Sequence, residues 1–323
     1  MKAFITGIAG FAGSHLAEFL LAHTDLSVSG LIHKQTDNIA HLRDSLSLYQ
    51  GDLLDGSRIR QILAAARPDY VFHLAGEADV PFSCVNPWNT FQGNVLSQLN
   101  LLEALRELLP QARVLIVGSA EEYGLIQPED LPVKETTPFR PHTPYGVSKI
   151  AQDMLGLQYY LQHRLPVIRA RAFNHIGARQ TERFVASALS RQIAEIEAGL
   201  RPPVLYVGVL STARDFCDVR DTVRAYYLLL EKGVPGEVYN VGSGSSHRIQ
   251  ELLDILLSFV DIKIEIRLDQ ARLRRSDVPV SQCDYSKLHL ATGWKPEISF
   301  EDGLKYTLDY WRERVKNAST VKA

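Results

Sequence analysis

Cysteine is scarce in this 323-residue chain: Cys84, Cys217 and Cys283 are scattered and odd in number. That usage argues against a disulfide framework or a thiolate metal cluster and suits reduced thiols in the cytoplasm. No stretch approaches the roughly 20 apolar residues that a membrane span needs. No signal-peptide pattern is read before Lys2-Ala3-Phe4-Ile5-Thr6. Neither sign of charge dominates. Lys plus Arg number 35 against 37 Asp plus Glu, a formal net charge of -2, so no basic footprint for nucleic acid is present. Metal-ligand spacing is missing too. What remains is ordinary globular composition, 46% hydrophobic and 22% charged, in a chain long enough for a large core.

The first half alternates short apolar runs with longer amphipathic ones. Residues 4–6, 28–32, 47–50, 70–74 and 114–117 read as strands, dense in Val, Ile, Leu and aromatics. Between them, residues 14–22, 58–66, 88–108 and 144–162 carry apolar side chains at helical spacing. This alternation predicts right-handed βαβ units in an α/β fold with a doubly wound parallel Rossmann sheet. A sixth strand is expected at 167–171. Beyond Asn174 the pattern gives a helix at 184–199 and a strand at 204–207. A helix from Val219, a strand near Val238, a helix at 250–259, a strand at 263–267 and a Trp-containing terminal helix follow. The division expected is a dinucleotide-binding domain at 1–175, to which later segments return, and a smaller substrate-binding α/β lobe at 176–323.

The first strand runs into Thr6-Gly7-Ile8-Ala9-Gly10-Phe11-Ala12-Gly13-Ser14. Glycines in this frame permit a tight turn, a close approach of backbone to pyrophosphate, and close helix–strand packing. The helix that follows offers free N–H groups to the phosphates. The second strand ends in Leu31-Ile32-His33-Lys34, with no carboxylate for a ribose 2′-hydroxyl but a cation for a 2′-phosphate. NADP(H) is therefore expected in preference to NAD(H), which stays open; the alternative for His33 and Lys34 is a solvated loop. Asp52 follows the third strand, placed either to bind the adenine amino group or as a plain turn residue.

Tyr145-Gly-Val-Ser-Lys149 sets a phenol and an ammonium at i and i+4, on one face of a helix that Pro144 helps to start. A neighbouring ammonium stabilises phenolate and is expected to lower the tyrosine pKa toward working pH. Such a phenol exchanges a proton with an alcohol while hydride moves to or from nicotinamide. Ser119 ends the fifth strand, where ligands bind in such sheets. It either aligns the reacting oxygen or satisfies a local backbone group.

Gly7, Gly10, Gly13, Ser119, Tyr145 and Lys149 together resemble the extended short-chain dehydrogenase/reductases that modify nucleotide sugars. The resemblance covers almost the whole chain, including Val80…Ser83…Pro87…Thr90…Asn94, residues 171–177, 214–221, 239–242 and Gly293-Trp294-Lys295-Pro296. Residues 119–124 and 173–177 are most similar to the GDP-sugar branch. That branch holds 4,6-dehydratases of GDP-mannose and reductases of the 4-keto sugar that they make. Three departures resemble the reductases. Phe11-Ala12 stands where dehydratases carry Gln-Asp, Ala120 where they carry a hydroxyl, and Glu122 where they carry an apolar residue. Glu121 matches both.

The resemblance implies NAD(P)H-dependent reduction of GDP-4-dehydro-6-deoxy-D-mannose to GDP-D-rhamnose, with Ser119, Tyr145, Lys149 and Glu121 as catalytic residues. A dehydratase or an epimerase is the alternative; a dinucleotide-binding regulator has no need of the intact Tyr/Lys pair. Along the cofactor it places Gly7, Gly10, Phe11, Ala12, Gly13, His33, Lys34, Asp52, Leu53, Leu74, Ala75, Gly76 and Asn94, besides Tyr145 and Lys149. For the GDP-sugar it implies Asn174, Arg179, Phe184, Val185, Arg214, Arg274 and Asp277; a solvated charge run is the alternative for Arg274 and Arg275. A homodimer through helices 88–108 and 144–162 is expected, with no metal and no nucleic-acid or membrane partner.

Overall fold

The computed structural model describes residues 1–33, 36–270 and 278–320. From the N-terminus the elements are β1 (Lys2–Thr6), α1 (Phe11–His23), β2 (Ser27–Ile32), β3 (Ser47–Gln50) and α2 (Gly56–Ala66). Next come β4 (Tyr70–His73), α3 (Val80–Val85), α4 (Pro87–Phe91), α5 (Ser97–Leu108), β5 (Arg113–Ser119), α6 (Pro144–His163) and β6 (Val167–Ala172). The second half holds β7 (Asn174–Ile176), α7 (Val185–Glu197), β8 (Val204–Val207), β9 (Ala213–Asp218), α8 (Val219–Lys232) and β10 (Val238–Val241). It closes with β11 (Ser246–Arg248), α9 (Ile249–Ser258), β12 (Glu265–Leu268), α10 (Ser286–Thr292) and α11 (Phe300–Thr320).

Seven parallel strands form the main sheet in the order β10-β6-β5-β4-β1-β2-β3. The strand order switches side at β1, with β2 and β3 on one flank and β4 onward on the other, which opens a crevice at the carboxyl ends of β1 and β4. Both faces are covered. Leu16 and Leu20 of α1 and Tyr226, Leu229 and Leu230 of α8 pack one face with Ile5, Phe72 and Ile168. Ile59 and Leu63 of α2, Leu101 and Leu105 of α5 and Tyr159 of α6 pack the other, against Phe4, Val71, Val114 and Val167. Double coverage is why these strands are continuous apolar runs.

The second half builds two small sheets, β11-β9-β7 and β12-β8. Ile193, Leu205, Phe216, Leu252, Leu304 and Leu308 make their core. Strand β7 begins two residues after β6, at the carboxyl edge of the main sheet, while β10 pairs with β6 inside that sheet.

Several elements, β7, β11, α3 and α10 among them, have no counterpart in the sequence pattern, and two further features depart from it. The single helix expected over 88–108 contains a wide π-turn at Gln92–Leu96, which turns Asn94 inward to full burial. Strand β9 is also absent from the pattern, because Asp215 and Asp218 are buried within it.

Candidate active site

The turn after β1 needs its glycines for space. Gly7 has φ +73°, and a Cβ there would meet the Ala75 nitrogen at 2.9 Å. At Gly13 a Cβ would stand 2.1 Å from the Gly7 carbonyl oxygen, so α1 packs directly on the turn. Gly10 precedes α1 and has no side chain to cap it, which leaves first-turn N–H groups as donors for an anion. The Phe11 ring stacks on His175, centroids 5.5 Å apart, so the position beside the first turn is filled by aromatic packing. This cradle fits a dinucleotide pyrophosphate.

Around the crevice, Leu74, Ala75 and Gly76 form the loop after β4, and Ala75 N–H donates to Thr6 Oγ1 at 3.3 Å. A Cβ at Gly76 would stand 2.7 Å from Asn94 Oδ1. The Asn94 amide is engaged within the chain: Oδ1 accepts from Glu77 N at 2.7 Å, and Nδ2 donates to Glu77 O and Ser148 Oγ. Asn94 thus braces the loop against α6. On the far side, exposed His33 Nε2 lies 3.8 Å from Asp52 Oδ2, and Leu53 is buried beneath. Lys34 lies outside the described residues.

Thr143 caps α6 by accepting from Gly146 N, Pro144 opens the helix, and Tyr145 N–H donates to Ser83 Oγ at 3.2 Å. Tyr145 and Lys149 are both buried. The Ser119 hydroxyl lies beside the Tyr145 phenol, where it favours the ionised form. Lys149 Nζ donates to Val117 O at 2.9 Å and to Gln152 Oε1 at 2.8 Å. The serine, phenol and ammonium therefore meet at the carboxyl edge of β5, as the motif spacing requires.

The phenol's acidity differs from the sequence expectation. Burial pushes the Tyr145 pKa above its ordinary value, and Glu121, Glu122 and Glu77 push it the same way, while the Ser119 hydroxyl opposes them. Several carboxylates face the phenol, whereas the ammonium is turned to Val117 and Gln152. Burial in turn draws the Lys149 pKa down to about 8, offset by the Glu122 charge. The phenol is accordingly held protonated.

The remaining described candidates lie on separate segments of the second half. Asn174 is exposed at the start of β7; Phe184 precedes α7 and Val185 begins it, both half-buried. Arg214 on β9 donates to Ala213 O and Val278 O. Arg179, at φ +71°, is bound to both Glu18 oxygens and to His15, which pins its loop to α1. Arg274 and Asp277 lie outside the described residues. The candidate set lacked Gln152 and Asp153, although both follow Lys149 at i+3 and i+4 on one helix face. Glu77, in the loop after β4, and Ser83, on α3, carry no such local signal, since both are distant from Tyr145 along the chain.

A doubly wound sheet with a glycine cradle at its first turn and a Ser/Tyr/Lys set at its edge defines an extended short-chain dehydrogenase/reductase. Residues 4–307 match the GDP-mannose 4,6 dehydratase family, and the chain belongs to it. It is 37% identical to the GDP-6-deoxy-D-mannose reductase of Pseudomonas aeruginosa over 316 residues, 98% of each protein. To GDP-mannose 4,6 dehydratase 1 of Arabidopsis thaliana it is 32% identical, over 99% of this chain and 92% of that one. The structure of RMD from Pseudomonas aeruginosa complexed with NADPH superimposes with a TM-score of 0.87 at 36% identity, covering 97% of this chain and 99% of that one.

Proposed function

We propose that this chain reduces the 4-keto group of GDP-4-dehydro-6-deoxy-D-mannose with NADPH, giving GDP-D-rhamnose. The observation that carries this is the surroundings of Glu121. Its preceding neighbour, Ala120, has no hydroxyl, and the next residue, Glu122, is a fully buried acid facing Arg171 at 3.1 Å. The greater identity to the reductase than to the dehydratase points the same way.

A bound NADPH supplies the hydride that reduces the keto carbon. The cradle of Gly7, Gly10 and Gly13 and the start of α1 hold the pyrophosphate, with Phe11 and Ala12 beside it. His33, Lys34, Asp52 and Leu53 are our candidates for the adenosine end, and Leu74, Ala75 and Gly76 for the nicotinamide end. The open end of β2 favours NADP(H), with NAD(H) the weaker alternative. Ser119 donates to the keto oxygen, and Tyr145 gives its proton to that oxygen as the C4 alcohol forms. Tyr145's raised pKa suits this direction, because the phenol starts protonated and acts as the acid. Lys149 then steadies the phenolate until solvent restores the proton.

Asn174, Arg179, Phe184, Val185, Arg214, Arg274 and Asp277 are our candidates for the GDP-sugar, and residues 176–323 for the lobe that holds it. One other reading is the dehydratase, with Glu121, which matches both enzymes, as the base at C5. Product chromatography with GDP-, UDP- and dTDP-sugars in the presence of NADPH separates the two: reduced product from the keto sugar supports the reductase, and keto product from GDP-mannose alone supports the dehydratase.

The protein is proposed to act as a homodimer. Val147, Met154 and Leu161 recur every seven residues on α6, and all three are exposed beside exposed Trp88 and Leu96. A seven-residue apolar stripe fits a second copy of the same helices. Free Cys84, Cys217 and Cys283 suit a cytoplasmic setting, and among the described residues no helix is long and apolar enough to cross a membrane.

A further inference from the structure

Beneath the Ser119–Tyr145 pair lies a chain of buried charges that the reaction itself does not use. Glu122 Oε1 accepts from the Ser119 backbone N–H at 2.8 Å, while Ser119 Oγ accepts from Glu121 N at 3.2 Å. This reciprocal cap closes the short turn after β5. Glu122 Oε2 stands 3.1 Å from Arg171 Nε on β6, and Arg171 Nη2 donates to Asp153 Oδ2 at 2.5 Å. Asp153 lies one turn beyond Lys149 on α6 and also takes a bond from Arg169 at 2.9 Å. Gly118 makes room for the carboxylate, since a Cβ there would stand 2.2 Å from Glu122 Oε1. The chain thus joins the strand end that carries Ser119 to the helix that carries Tyr145 and Lys149.

We propose that Glu122 is a positioning residue for the reductive step: through the Ser119 N–H and Arg171 it fixes the serine hydroxyl against the phenol. The inference rests on reading Ser119, Tyr145 and Lys149 as the reducing set. Burying a carboxylate costs free energy unless partners compensate it. Here the partners are the groups that set the Ser119 geometry. An apolar residue in its place leaves the Ser119 N–H unpaired and removes the charge that faces Arg171, whose own hydrogen bonds go to Asp153, Tyr123 and Glu135, and the serine is free to shift. A misplacement of about 1 Å costs on the order of 100-fold in rate.

The test is a double-mutant cycle of Glu122→Gln and Ser119→Ala, read as kcat and KM with NADPH and the keto sugar. Measured at pH 9, where Glu122 is ionised despite its raised pKa, Glu122→Gln keeps the shape and the acceptor but sets a neutral amide where the carboxylate faces Arg171. We expect it to lower kcat about 10- to 100-fold, with the KM for NADPH unchanged. In the Ser119→Ala background the same change is expected to cost less than about 3-fold, because contacting residues in one network are not additive. An equal loss in both backgrounds, or no loss in the first, overturns the proposal. Inactive wild-type enzyme would sink the functional reading instead. Amide exchange at Ser119 then tests the positioning alone: Glu122→Leu speeds exchange if the cap is real, and unchanged protection contradicts it. If that variant does not fold, the same exchange measurement on Glu122→Asp decides, with faster exchange expected and unchanged protection contradicting the cap.

Discussion

Lys149 Nζ stands 6.0 Å from the Tyr145 ring centroid and donates two hydrogen bonds, to Val117 O and Gln152 Oε1. An ammonium has three protons, so one is left over from these two bonds. The pair works as a unit with separate tasks. Tyr145 holds a proton in a buried site, and Lys149 holds a positive charge near the place where the phenolate forms.

Removal of the phenol oxygen tests the first task. Tyr145→Phe is expected to lower kcat by about 100- to 10,000-fold, the usual contribution of a positioned acid. NADPH affinity is expected to stay within about 2-fold, because uniform binding is untouched. Fluorescence titration of NADPH beside steady-state rates checks both halves.

The glycine cradle makes a steric prediction. Gly13→Ala sets a Cβ 2.1 Å from the Gly7 carbonyl oxygen, so turn and helix must separate. Overpacking of this kind costs about 1–3 kcal/mol. A shifted turn also loses its pyrophosphate donors, so NADPH binding is expected to weaken about 10-fold or more, equivalent to about 1.4 kcal/mol. Calorimetry with NADPH reads the affinity, and denaturant unfolding reads the stability.

Stability is expected to fall between pH 6.5 and 5.5. Burial holds His73 down to about 3 and His15 down to about 4, so the unfolded chain binds their protons first as pH falls. Stability from these two is present above pH 6.5 and is lost toward pH 3–4. His175, also lowered by burial, shares the sign. Glu122, raised to about 8, opposes them between pH 8 and 4.5, because the folded chain takes up its proton first. Over this window each unfolded histidine is on average about three-quarters protonated, so the two against one carboxyl leave about half a proton, or about 0.7 kcal/mol per pH unit. Equal unfolding midpoints at pH 6.5 and 5.5 would contradict this.

The α6 stripe predicts assembly. Met154→Asp places like charges opposite each other across a two-fold interface and is expected to shift the protein from dimer to monomer in sedimentation velocity. A wild-type monomer, or a variant that stays dimeric, refutes this face as the interface.

The sequence makes the main sheet readable because its inner strands are covered on both faces, so 70–74 and 114–117 stand out as apolar runs. Strand β9 is hidden for the opposite reason. It buries Asp215, which accepts from Ser243 N, Ser243 Oγ, Gly244 N and Cys283 N. Those donors come from residues 28 to 68 positions away, beyond the reach of local periodicity. The site divides in the same way. Tyr145 and Lys149 share one helix face and are visible as a spacing, whereas Glu122, Arg171 and Asp153 meet only through tertiary pairing. The acidity of the phenol likewise depends on carboxylates from separate segments, so a single neighbouring lysine gave the wrong direction.

Incubation of the purified protein with NADPH and GDP-4-dehydro-6-deoxy-D-mannose tests the central claim most directly. One NADPH oxidised for each GDP-D-rhamnose formed, with GDP-mannose left unchanged in a parallel reaction, is the expected result. Absence of NADPH oxidation with the keto sugar, or conversion of GDP-mannose to it without net cofactor use, would contradict the account.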